Sequence, residues 1–384
     1  MINTNLLPKI EDGKFTTKAI TYTNYNTPWK LETLELPIAS ADSIVKPNEI
    51  LIKTSAVALN PADIALRELT PNLPVLGGKK LKVAGLDFSG VVVQIGSKFL
   101  VNSESTPLKV GDKVFGGIFR PFDLYSSFSE YIVLNEKAFT VLEKVPESIS
   151  IQEAAGITVV TNTAYQCYLG MQGKLQGGNV LVLGAGSGVG YMAIQWAKLF
   201  GAKNIVVTAS PRSSQPALKV GATYWIDYTK GDKNEVKELK DFVKSSGKFD
   251  IIVDAVRDMS FHSYLDEILK PKTEGGKLSV VAGTFSRSHT PHYLKMLPTL
   301  RFIRTYGRFL AGYSHFNVDL IAAHYNKQFG PDFQKLVKAG LYDLKVDSIL
   351  DFYTQYQEAY DKIYSDKNVG KVILNLENSG VNDH

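Results

Sequence analysis

A glycine-rich segment at residues 184–190 has the residue types and spacing of a phosphate-binding turn. It follows the apolar run 179–183 and precedes a segment with apolar residues at helical spacing. Such a turn lets the backbone approach a pyrophosphate, whose charge the free N–H groups and the positive helix end then hold. Counted from Gly184, the last glycine of the strict G-x-G-x-x-G pattern is replaced by Val189. Taken without its neighbouring segments, the motif is therefore equally compatible with a glycine turn that has only a structural role. The predicted cofactor-binding residues of the turn are Gly184, Gly186, Ser187, Gly188, Val189 and Gly190.

The end of the next apolar run indicates which dinucleotide the turn would bind. A site for NAD usually has Asp or Glu about 20 residues further on, where the carboxylate bonds the ribose 2′-hydroxyl. Here the chain reads Thr-Ala-Ser-Pro-Arg from Thr208 to Arg212, and no carboxylate appears before Asp227. Ser210 and Arg212 suit a 2′-phosphate, because a guanidinium pairs with phosphate in a fixed geometry. The pattern favours NADPH, with an exposed loop arginine as the alternative.

Alternating strand and helix patterns surround this turn. The strand-like runs are 179–183, 204–209, 224–227, 249–254 and 276–283. Short connections between alternating strands and helices predict a parallel sheet with helices on both faces, the Rossmann doubly wound α/β fold. The first 150 residues contain short β-branched runs instead, which predict a partly antiparallel β-barrel. Residues 151–171 read as one helix, and from about residue 320 the pattern predicts helices and a last strand at 371–375.

Composition limits the remaining classes of function. The chain has 384 residues, 44% apolar and 21% charged, which is ordinary for a globular protein of two or three domains. The 43 basic and 38 acidic residues give a net charge of +5, which favours a solvated surface over a nucleic-acid track. A single cysteine, Cys167, excludes an internal disulfide framework and any zinc site built on several cysteines.

The hydropathy pattern and the first residues bear on localisation. The first residues have neither a secretory nor a mitochondrial leader pattern. No run approaches the roughly 18 apolar residues of a membrane helix. We therefore expect a cytoplasmic protein without a transmembrane segment, and peripheral attachment to a membrane surface stays open.

A set of further motifs, in order along residues 17–376, carries a family resemblance. The motifs are N-P-x-D at 60–63, G-x-D-x-x-G-x-V at 85–92, V-G-D-K-V-F-G at 110–116, F-S-E-Y at 128–131, T-A-Y at 163–165, G-A-T-Y-W-I-D-Y at 221–228 and G-K-V-I-L at 370–374. The chain resembles the medium-chain dehydrogenase/reductases, in their zinc-free, quinone oxidoreductase-like branch and a divergent, fungal-type subgroup. The resemblance implies a GroES-like catalytic domain at residues 1–151, completed by 317–384, and a Rossmann NADP-binding domain at 152–316. Because the family often pairs cofactor domains edge to edge, a homodimer is a further expectation.

The resemblance also assigns roles on the side of the nicotinamide. Asn60 and Asp63 would be catalytic residues on a turn that faces the nicotinamide. Asn60 would donate to substrate or cofactor, and Asp63 would either orient it or cap a helix. Thr163 would contact the nicotinamide ribose or the phosphates, with helix packing as the alternative. Gly283 would line the same side.

Two further residues complete the implied cofactor site. Tyr228 would line the adenine side. Lys371 would reach the cofactor phosphates, with a solvated lysine as the alternative.

Departures from the family pattern narrow the chemistry. The cysteine and the Gly-His-Glu motif of zinc-dependent relatives are replaced by Ala58 and by Gly-Leu-Asp at 85–87, which predicts a metal-free site. Several reductases of the branch have a catalytic tyrosine soon after the N-P-x-D turn, and residues 64–78 contain none. Tyr165 is a proton donor only if its hydroxyl reaches the cleft, and a buried aromatic is the alternative. Ser187 replaces a glycine of the phosphate turn, where its hydroxyl could bond a phosphate oxygen.

Metal-free hydride transfer suits quinones and α,β-unsaturated carbonyls, which need only hydrogen-bond donors for the developing negative charge. The sequence therefore predicts a zinc-independent, NADPH-dependent oxidoreductase acting on one of these small molecules. One alternative is a catalytically weak NADPH-binding regulatory protein, which the missing tyrosine and the altered turn favour. Another is an enoyl-thioester reductase, which shares the fold and the hydride chemistry.

Overall fold

A computed structural model describes residues 6–70, 80–99, 107–118, 126–135, 137–256, 263–281, 315–321, 324–365 and 368–377. Within these residues the chain forms three β-sheets, one of which is the parallel sheet that the alternating pattern predicted.

Strands from the two ends of the chain form a four-stranded and a seven-stranded sheet. These strands are β1 (Ile10–Glu11), β2 (Lys14–Tyr22), β3 (Lys30–Pro37), β4 (Glu49–Leu59), β5 (Lys82–Val83), β6 (Asp87–Ile95), β7 (Lys113–Ile118), β8 (Tyr131–Asn135), β9 (Phe139–Lys144), β16 (Val346–Asp351) and β17 (Lys371–Asn375). The small sheet has the order β1-β2-β3, with β5 beside β2. The large sheet has the order β16-β17-β4-β6-β7-β9, with β8 beside β4, and only its β16–β17 pair is parallel. These mostly antiparallel strands agree with the predicted partly antiparallel, GroES-like domain, and the described strands do not close into a complete barrel.

Six parallel strands make up the Rossmann sheet. They are β10 (Asn179–Leu183), β11 (Asn204–Ala209), β12 (Tyr224–Asp227), β13 (Ile251–Asp254), β14 (Lys277–Val281) and β15 (Asn317–Ile321). Their order is β12-β11-β10-β13-β14-β15, the doubly wound order in which cofactors bind outside the carboxyl ends of the strands. The central strand β10 contains a Val-Leu-Val-Leu run whose side chains are fully buried, as both faces of the sheet are covered.

Helices pack against the seven-stranded sheet and the Rossmann sheet. They are α1 (Pro61–Leu69), α2 (Ile151–Ala154), α3 (Thr158–Cys167), α4 (Gly188–Leu199), α5 (Pro211–Val220), α6 (Asp232–Ser246), α7 (Leu265–Ile268), α8 (Phe329–Lys338) and α9 (Tyr356–Tyr364). Within the described residues, no helix is both long enough and apolar enough to cross a membrane.

Two features differ from the sequence prediction. Strand β15 pairs with β14 in the Rossmann sheet, although the predicted boundary at residue 316 assigns it to the catalytic domain. The single helix predicted at 151–171 is divided into α2 and α3 around Gly156. A Cβ at Gly156 would lie 2.9 Å from Cδ2 of Leu344 and 3.3 Å from Cε of Lys371, so the break leaves room for a lysine of the last strand.

Candidate functional site

The glycine turn after β10 requires glycine for two separate reasons. Gly184 has a φ of +82°, in the left-handed region that other residues rarely adopt, and a Cβ there would lie 2.3 Å from Cγ1 of Val256. At Gly190, in the first turn of α4, a Cβ would lie 2.2 Å from the carbonyl oxygen of Gly184. The tight turn therefore has no room for a side chain at these two positions, and it leads directly into the N-terminus of α4.

Ser187 is the N-cap of α4. Its Oγ accepts a hydrogen bond from the N–H of Gly190 at 3.0 Å and donates to the carbonyl of Gly184 at 2.8 Å. The hydroxyl thus completes the turn and the helix, whereas the sequence suggested a bond to phosphate. The N–H groups of Gly188 and Val189 at the first two helical positions lack intrahelical acceptors by helix geometry, and the positive end of the helix dipole lies beside them.

The Ser210–Arg212 segment lies next to this turn. A Cβ at Gly186 would be 2.6 Å from Oγ of Ser213, in the first turn of α5. Ser210 is the N-cap residue of α5, and Arg212 is exposed in its first turn. The two residues that the sequence assigned to a 2′-phosphate therefore stand beside the predicted pyrophosphate site.

Lys345 is a second cation, one that interacts with Arg212 and that the sequence did not indicate. Burial lowers the pKa of Lys345, and electrostatic repulsion from Arg212 lowers it further. The preceding Asp343 is fixed to α4, because its N–H donates to Gln195 at 2.9 Å and its carbonyl accepts from the same side chain at 2.8 Å. The signal was invisible in the sequence, because Lys345 lies 133 positions from Arg212 in the chain.

Three other predicted cofactor residues have different surroundings. Tyr228 is 48% exposed and follows β12, at the same carboxyl edge of the sheet as the glycine turn. Thr163 lies in the middle of α3 and is 5% exposed. Gly283 lies outside the described residues. The contacts of Tyr228 and Thr163 with a cofactor stay predictions.

A buried polar cluster joins Asn60, Asp63, Asp87 and Lys371. Nζ of Lys371 donates to Oδ1 of Asn60 at 2.6 Å and to Oδ2 of Asp87 at 2.9 Å. Nδ2 of Asn60 donates to the same oxygen of Asp87 at 3.1 Å and to the carbonyl of Ala58 at 3.3 Å. These four residues are at most 5% exposed. Because both amide donors of Asn60 already have partners in the protein, its predicted donation to substrate or cofactor is not the arrangement found here.

Asp63 caps α1 from inside this cluster. Its Oδ2 accepts from the backbone N–H of Asn60 at 2.6 Å, which is the capping alternative that the sequence left open. Its Oδ1 has no hydrogen-bond partner among the described residues. Burial raises the pKa of Asp63 to about 7, with the N–H of Asn60 opposing, the negative charge of Asp87 adding and Lys371 opposing. The carboxyl group therefore titrates near neutral pH.

Lys371 is buried, and its predicted contact with the cofactor phosphates stays a prediction. It is 5% exposed, so the solvated lysine that the sequence left open is wrong. Its side chain crosses Gly156 to reach Asp87, which is fully buried. The two charges form an ion pair at 2.9 Å in the interior.

Helix α3 connects this cluster to the glycine turn. The N–H of Val159, in its first turn, donates to Oδ1 of Asp87 at 2.8 Å. The next residue, Val160, lies against the turn, since a Cβ at Gly188 would be 2.7 Å from Cγ1 of Val160. Two adjacent residues of one helix therefore touch the two halves of the candidate site.

Tyr165 is a packing residue. It is fully buried, and its hydroxyl donates to Oδ2 of Asp332 at 2.8 Å. Its ring packs edge-on against Trp196 with centroids 4.9 Å apart. The buried-aromatic alternative of the sequence is therefore the one observed.

The positions of the zinc ligands in related enzymes hold side chains with other tasks. Ala58 has no ligand atom, and both oxygens of Asp87 accept hydrogen bonds within the protein. Among the described residues, no three His, Cys, Asp or Glu side chains converge as a possible metal site.

Comparison with known proteins gives matches along most of the chain. One family model, described as an alcohol dehydrogenase GroES-like domain, matches residues 46–147. Another, described as a zinc-binding dehydrogenase, matches residues 188–321. Protein YIM1 of Vanderwaltozyma polyspora is 30% identical over 375 residues, which are 94% of this chain and 99% of that protein. Protein YIM1 of Saccharomyces cerevisiae strain RM11-1a is 27% identical over 383 residues, which are 96% of this chain and 100% of that protein.

Solved structures with the same fold include a quinone oxidoreductase and a protein that is not named as an enzyme. The quinone oxidoreductase of Coxiella burnetii aligns with a TM-score of 0.68 and 22% identity over 94% of this chain and all of that chain. The human synaptic vesicle membrane protein VAT-1 homolog-like protein aligns with a TM-score of 0.62 and 20% identity over 95% of this chain and all of that one. At these identities the structures show the fold alone.

Proposed function

The chain belongs to the medium-chain dehydrogenase/reductase superfamily, and we propose that it is a zinc-independent, NADPH-dependent reductase of quinones or α,β-unsaturated carbonyls. The superfamily itself implies an oxidoreductase that uses a nicotinamide cofactor and a small-molecule substrate. The single observation that carries the finer proposal is the carboxyl edge of the Rossmann sheet, where the glycine turn adjoins Ser210 and Arg212.

The residues at this edge fit a phosphorylated dinucleotide. Gly184 and Gly190 let the turn pack tightly against Val256 and against its own carbonyl at Gly184, and the first turn of α4 provides N–H groups for the pyrophosphate. Arg212, which interacts electrostatically with Lys345, gives a positive charge where a ribose 2′-phosphate would lie. NAD binding would instead need a carboxylate at the end of β11, where the sequence has Ser210.

The proposed chemistry uses the hydride that NADPH supplies when it is bound. The chain itself would hold the cofactor at the glycine turn and align the substrate above the Asn60 cluster. The acceptor carbon of a quinone or conjugated carbonyl gains the hydride, and its oxygen becomes negative. N–H donors already fixed in the protein lower the energy of that oxygen, because they need no reorganisation during the reaction.

A regulatory NADPH-binding protein is the second candidate. The observation that favours it is the internal hydrogen bonding of Asn60, whose two amide donors are directed to Asp87 and Ala58. With the tyrosine of the branch also missing, turnover would then be weak while cofactor binding persists.

The test is NADPH oxidation by the purified protein against quinones, conjugated enals and enoyl-thioesters, with NADPH binding measured by nicotinamide fluorescence in the same samples. We expect turnover with quinones or enals. Binding without turnover on the whole panel would replace the proposed enzyme with the regulatory candidate, and turnover confined to enoyl-thioesters would assign it to lipid-type substrates.

Cofactor choice has its own test. Arg212→Ala should weaken NADPH binding by about 10- to 100-fold, the worth of a charge-assisted contact, and leave NADH binding unchanged. Lys219→Ala, which removes an exposed cation at the other end of α5, is the matched control and should change neither affinity. Equal losses for both nucleotides in Arg212→Ala would remove the assignment to a 2′-phosphate.

A further inference from the structure

The ammonium of Lys371 has more N–H groups than it has acceptors among the described residues. A lysine ammonium has three N–H groups, and among the described residues two acceptors lie within reach of Nζ: Oδ1 of Asn60 and Oδ2 of Asp87. The side chain is nearly buried, with 6% of its surface accessible. Burying a cation with an N–H group that has no acceptor costs free energy. A bound ligand that accepts from this N–H group would offset that cost.

The surroundings of Nζ give the third donor a direction. Asn60 follows the end of β4 on the N-P-x-D turn, and Asp87 begins β6. The N–H of Val159 fixes the other oxygen of Asp87, and its neighbour Val160 touches Gly188 of the cofactor turn. Nζ therefore lies where the catalytic sheet and helix α3, which reaches the glycine turn, meet.

We infer that the third N–H of Lys371 donates to the substrate oxygen that becomes negative during hydride transfer. Lys371 is then a catalytic residue, Asp87 and Asn60 position it, and it takes the place of the tyrosine that residues 64–78 lack. The inference rests on the proposed reductase function and goes beyond it by naming the group that stabilises the oxyanion.

The electrons balance without any further reactant. The hydride pair of NADPH forms the new C–H bond, and the displaced π pair moves through the conjugated system to the carbonyl oxygen. That oxygen is held by the ammonium of Lys371, and water then supplies the proton. The cluster is suited to this step, because a donor fixed in a poorly solvated site stabilises charge more strongly than one in water.

The variant must remove the ammonium without leaving a buried charge. The double variant Asp87→Asn/Lys371→Gln replaces the ion pair by two neutral amides of similar size, whereas Lys371→Gln alone would leave Asp87 unpaired. Lys371→Arg keeps the cation and should recover part of the activity. Folding of each variant is checked by far-ultraviolet circular dichroism and thermal melting.

Lys277 offers a matched control. It is also 5% exposed, with Nζ bonded to Asp319 at 2.7 Å and to the carbonyl of Leu169 at 2.9 Å. It begins β14, at the edge of the Rossmann sheet opposite the carboxyl ends. Lys277→Gln therefore removes an equally buried ammonium far from the cofactor turn, and its turnover should match that of the wild type.

Two readouts separate this role from others. The first compares kcat for a quinone or enal with the affinity for NADPH. We expect kcat of the double variant to fall by about 100-fold or more, as for the loss of an oxyanion donor, with NADPH affinity within about threefold. The second is the ionisation of 4-nitrophenol bound in the presence of NADP⁺, followed by its absorbance. A nearby ammonium should let the phenol ionise at lower pH in the wild type and in Lys277→Gln than in the double variant.

The outcomes are distinct. A double variant with kcat within threefold of Lys277→Gln, or with the same ionisation of bound 4-nitrophenol as the wild type, overturns the role of Lys371. A loss of NADPH affinity that accounts for the loss of turnover also overturns it and places the ammonium at the cofactor phosphates. A wild type that binds NADPH but reduces nothing on the panel overturns the proposed function, and the 4-nitrophenol titration still decides whether Lys371 holds an oxyanion.

Discussion

The glycine turn and the buried cluster around Lys371 are built in opposite ways. The turn consists of seven consecutive residues whose hydrogen bonds span three positions, as from Ser187 to Gly184 and Gly190. The cluster joins Asn60 to Lys371 across 311 positions of the chain. The turn therefore has a signature in the sequence, whereas the cluster exists only once β4, β6 and β17 are side by side.

The two regions also depend on different forces. The turn depends on steric limits, since a Cβ at Gly184 would overlap Val256 and a Cβ at Gly190 would overlap the Gly184 carbonyl. The cluster is an electrostatic device, in which one cation and two carboxyl groups are removed from water and balance one another. Variants in the cluster should therefore cost more stability than variants in the turn, and variants in the turn should cost more cofactor affinity.

The largest effect should come from Lys371→Met. It leaves the fully buried Asp87 without its cation, which costs about 3–5 kcal/mol for a broken buried ion pair. Lys277→Met should cost clearly less, because the carboxylate of its partner Asp319 is 51% exposed and water can solvate it. Urea unfolding followed by circular dichroism measures both, and equal losses would show that burial of the lysine alone decides the cost.

Asp63→Asn should change how stability depends on pH. The pKa of Asp63 is about 7 in the folded protein, against an ordinary value of 3.8 for an aspartate in water, so the native state holds a proton that the unfolded chain has lost. This contribution is present below about pH 4 and is lost as pH rises to about 7, by at most about 4 kcal/mol. The charged groups that face Asp63 are Asp87, Lys371 and the ionisable Tyr22.

The amide variant cannot titrate at this position, yet its oxygen can still accept from Asn60. We therefore expect Asp63→Asn to gain stability relative to the wild type between pH 4 and 8. Urea midpoints across this range give the curve. Parallel curves for the two proteins would mean that Asp63 is ionised throughout and that the cluster is better solvated than its burial indicates.

Gly190→Ala tests the steric nature of the turn. The added Cβ would stand 2.2 Å from the Gly184 carbonyl, so the backbone must shift, at a cost of about 1–3 kcal/mol. Because the turn itself moves, NADPH affinity should fall by a larger factor than in any cluster variant. Gly173→Ala, where a Cβ meets nothing within 4 Å, is the control. Unchanged NADPH affinity in Gly190→Ala would place the pyrophosphate elsewhere.

The smallest effect should come from Ser187. Ser187→Ala removes the N-cap and should cost about 1 kcal/mol, whereas Ser187→Gly should cost only a few tenths. Because the hydroxyl already bonds Gly184 and Gly190, we expect both variants to keep NADPH affinity within about threefold. A tenfold loss of affinity in Ser187→Gly, seen by fluorescence titration, would mean that the hydroxyl turns to a phosphate oxygen. The turn would then bind the cofactor through a polar side chain as well as through its backbone.

Local pattern was enough for much of the cofactor half. The alternation of apolar runs and helices correctly predicted β10 to β14 and α4, and the structure lengthens one predicted helix, at 216–220, to α5 (Pro211–Val220). The sequence pattern did not indicate β15 and β16, which lie at the edges of their sheets. Edge strands are weakly patterned, because only part of each face is buried; in β16 Ile349 is 53% exposed.

The catalytic half was less predictable, because its architecture depends on contacts between segments that are far apart in the chain. Its short strands indicated a β-rich domain, but whether they close into a barrel depends on pairings between distant segments, such as β17 with β4. The division of the predicted helix at Gly156 depends on Leu344 and Lys371, neither of which is near in sequence.

The sequence by itself determined the α/β alternation, the glycine turn and the cation after β11, because periodicity and backbone sterics act over a few residues. Only the tertiary structure decided that Lys371 is buried and that both amide donors of Asn60 bond to acceptors inside the protein. It also decided that Lys345 interacts electrostatically with Arg212. These are partnerships between side chains far apart in the chain. Hydrogen bonds and charge pairs are fixed by distances of about 3 Å, and such distances are set only when the sheets and helices have packed.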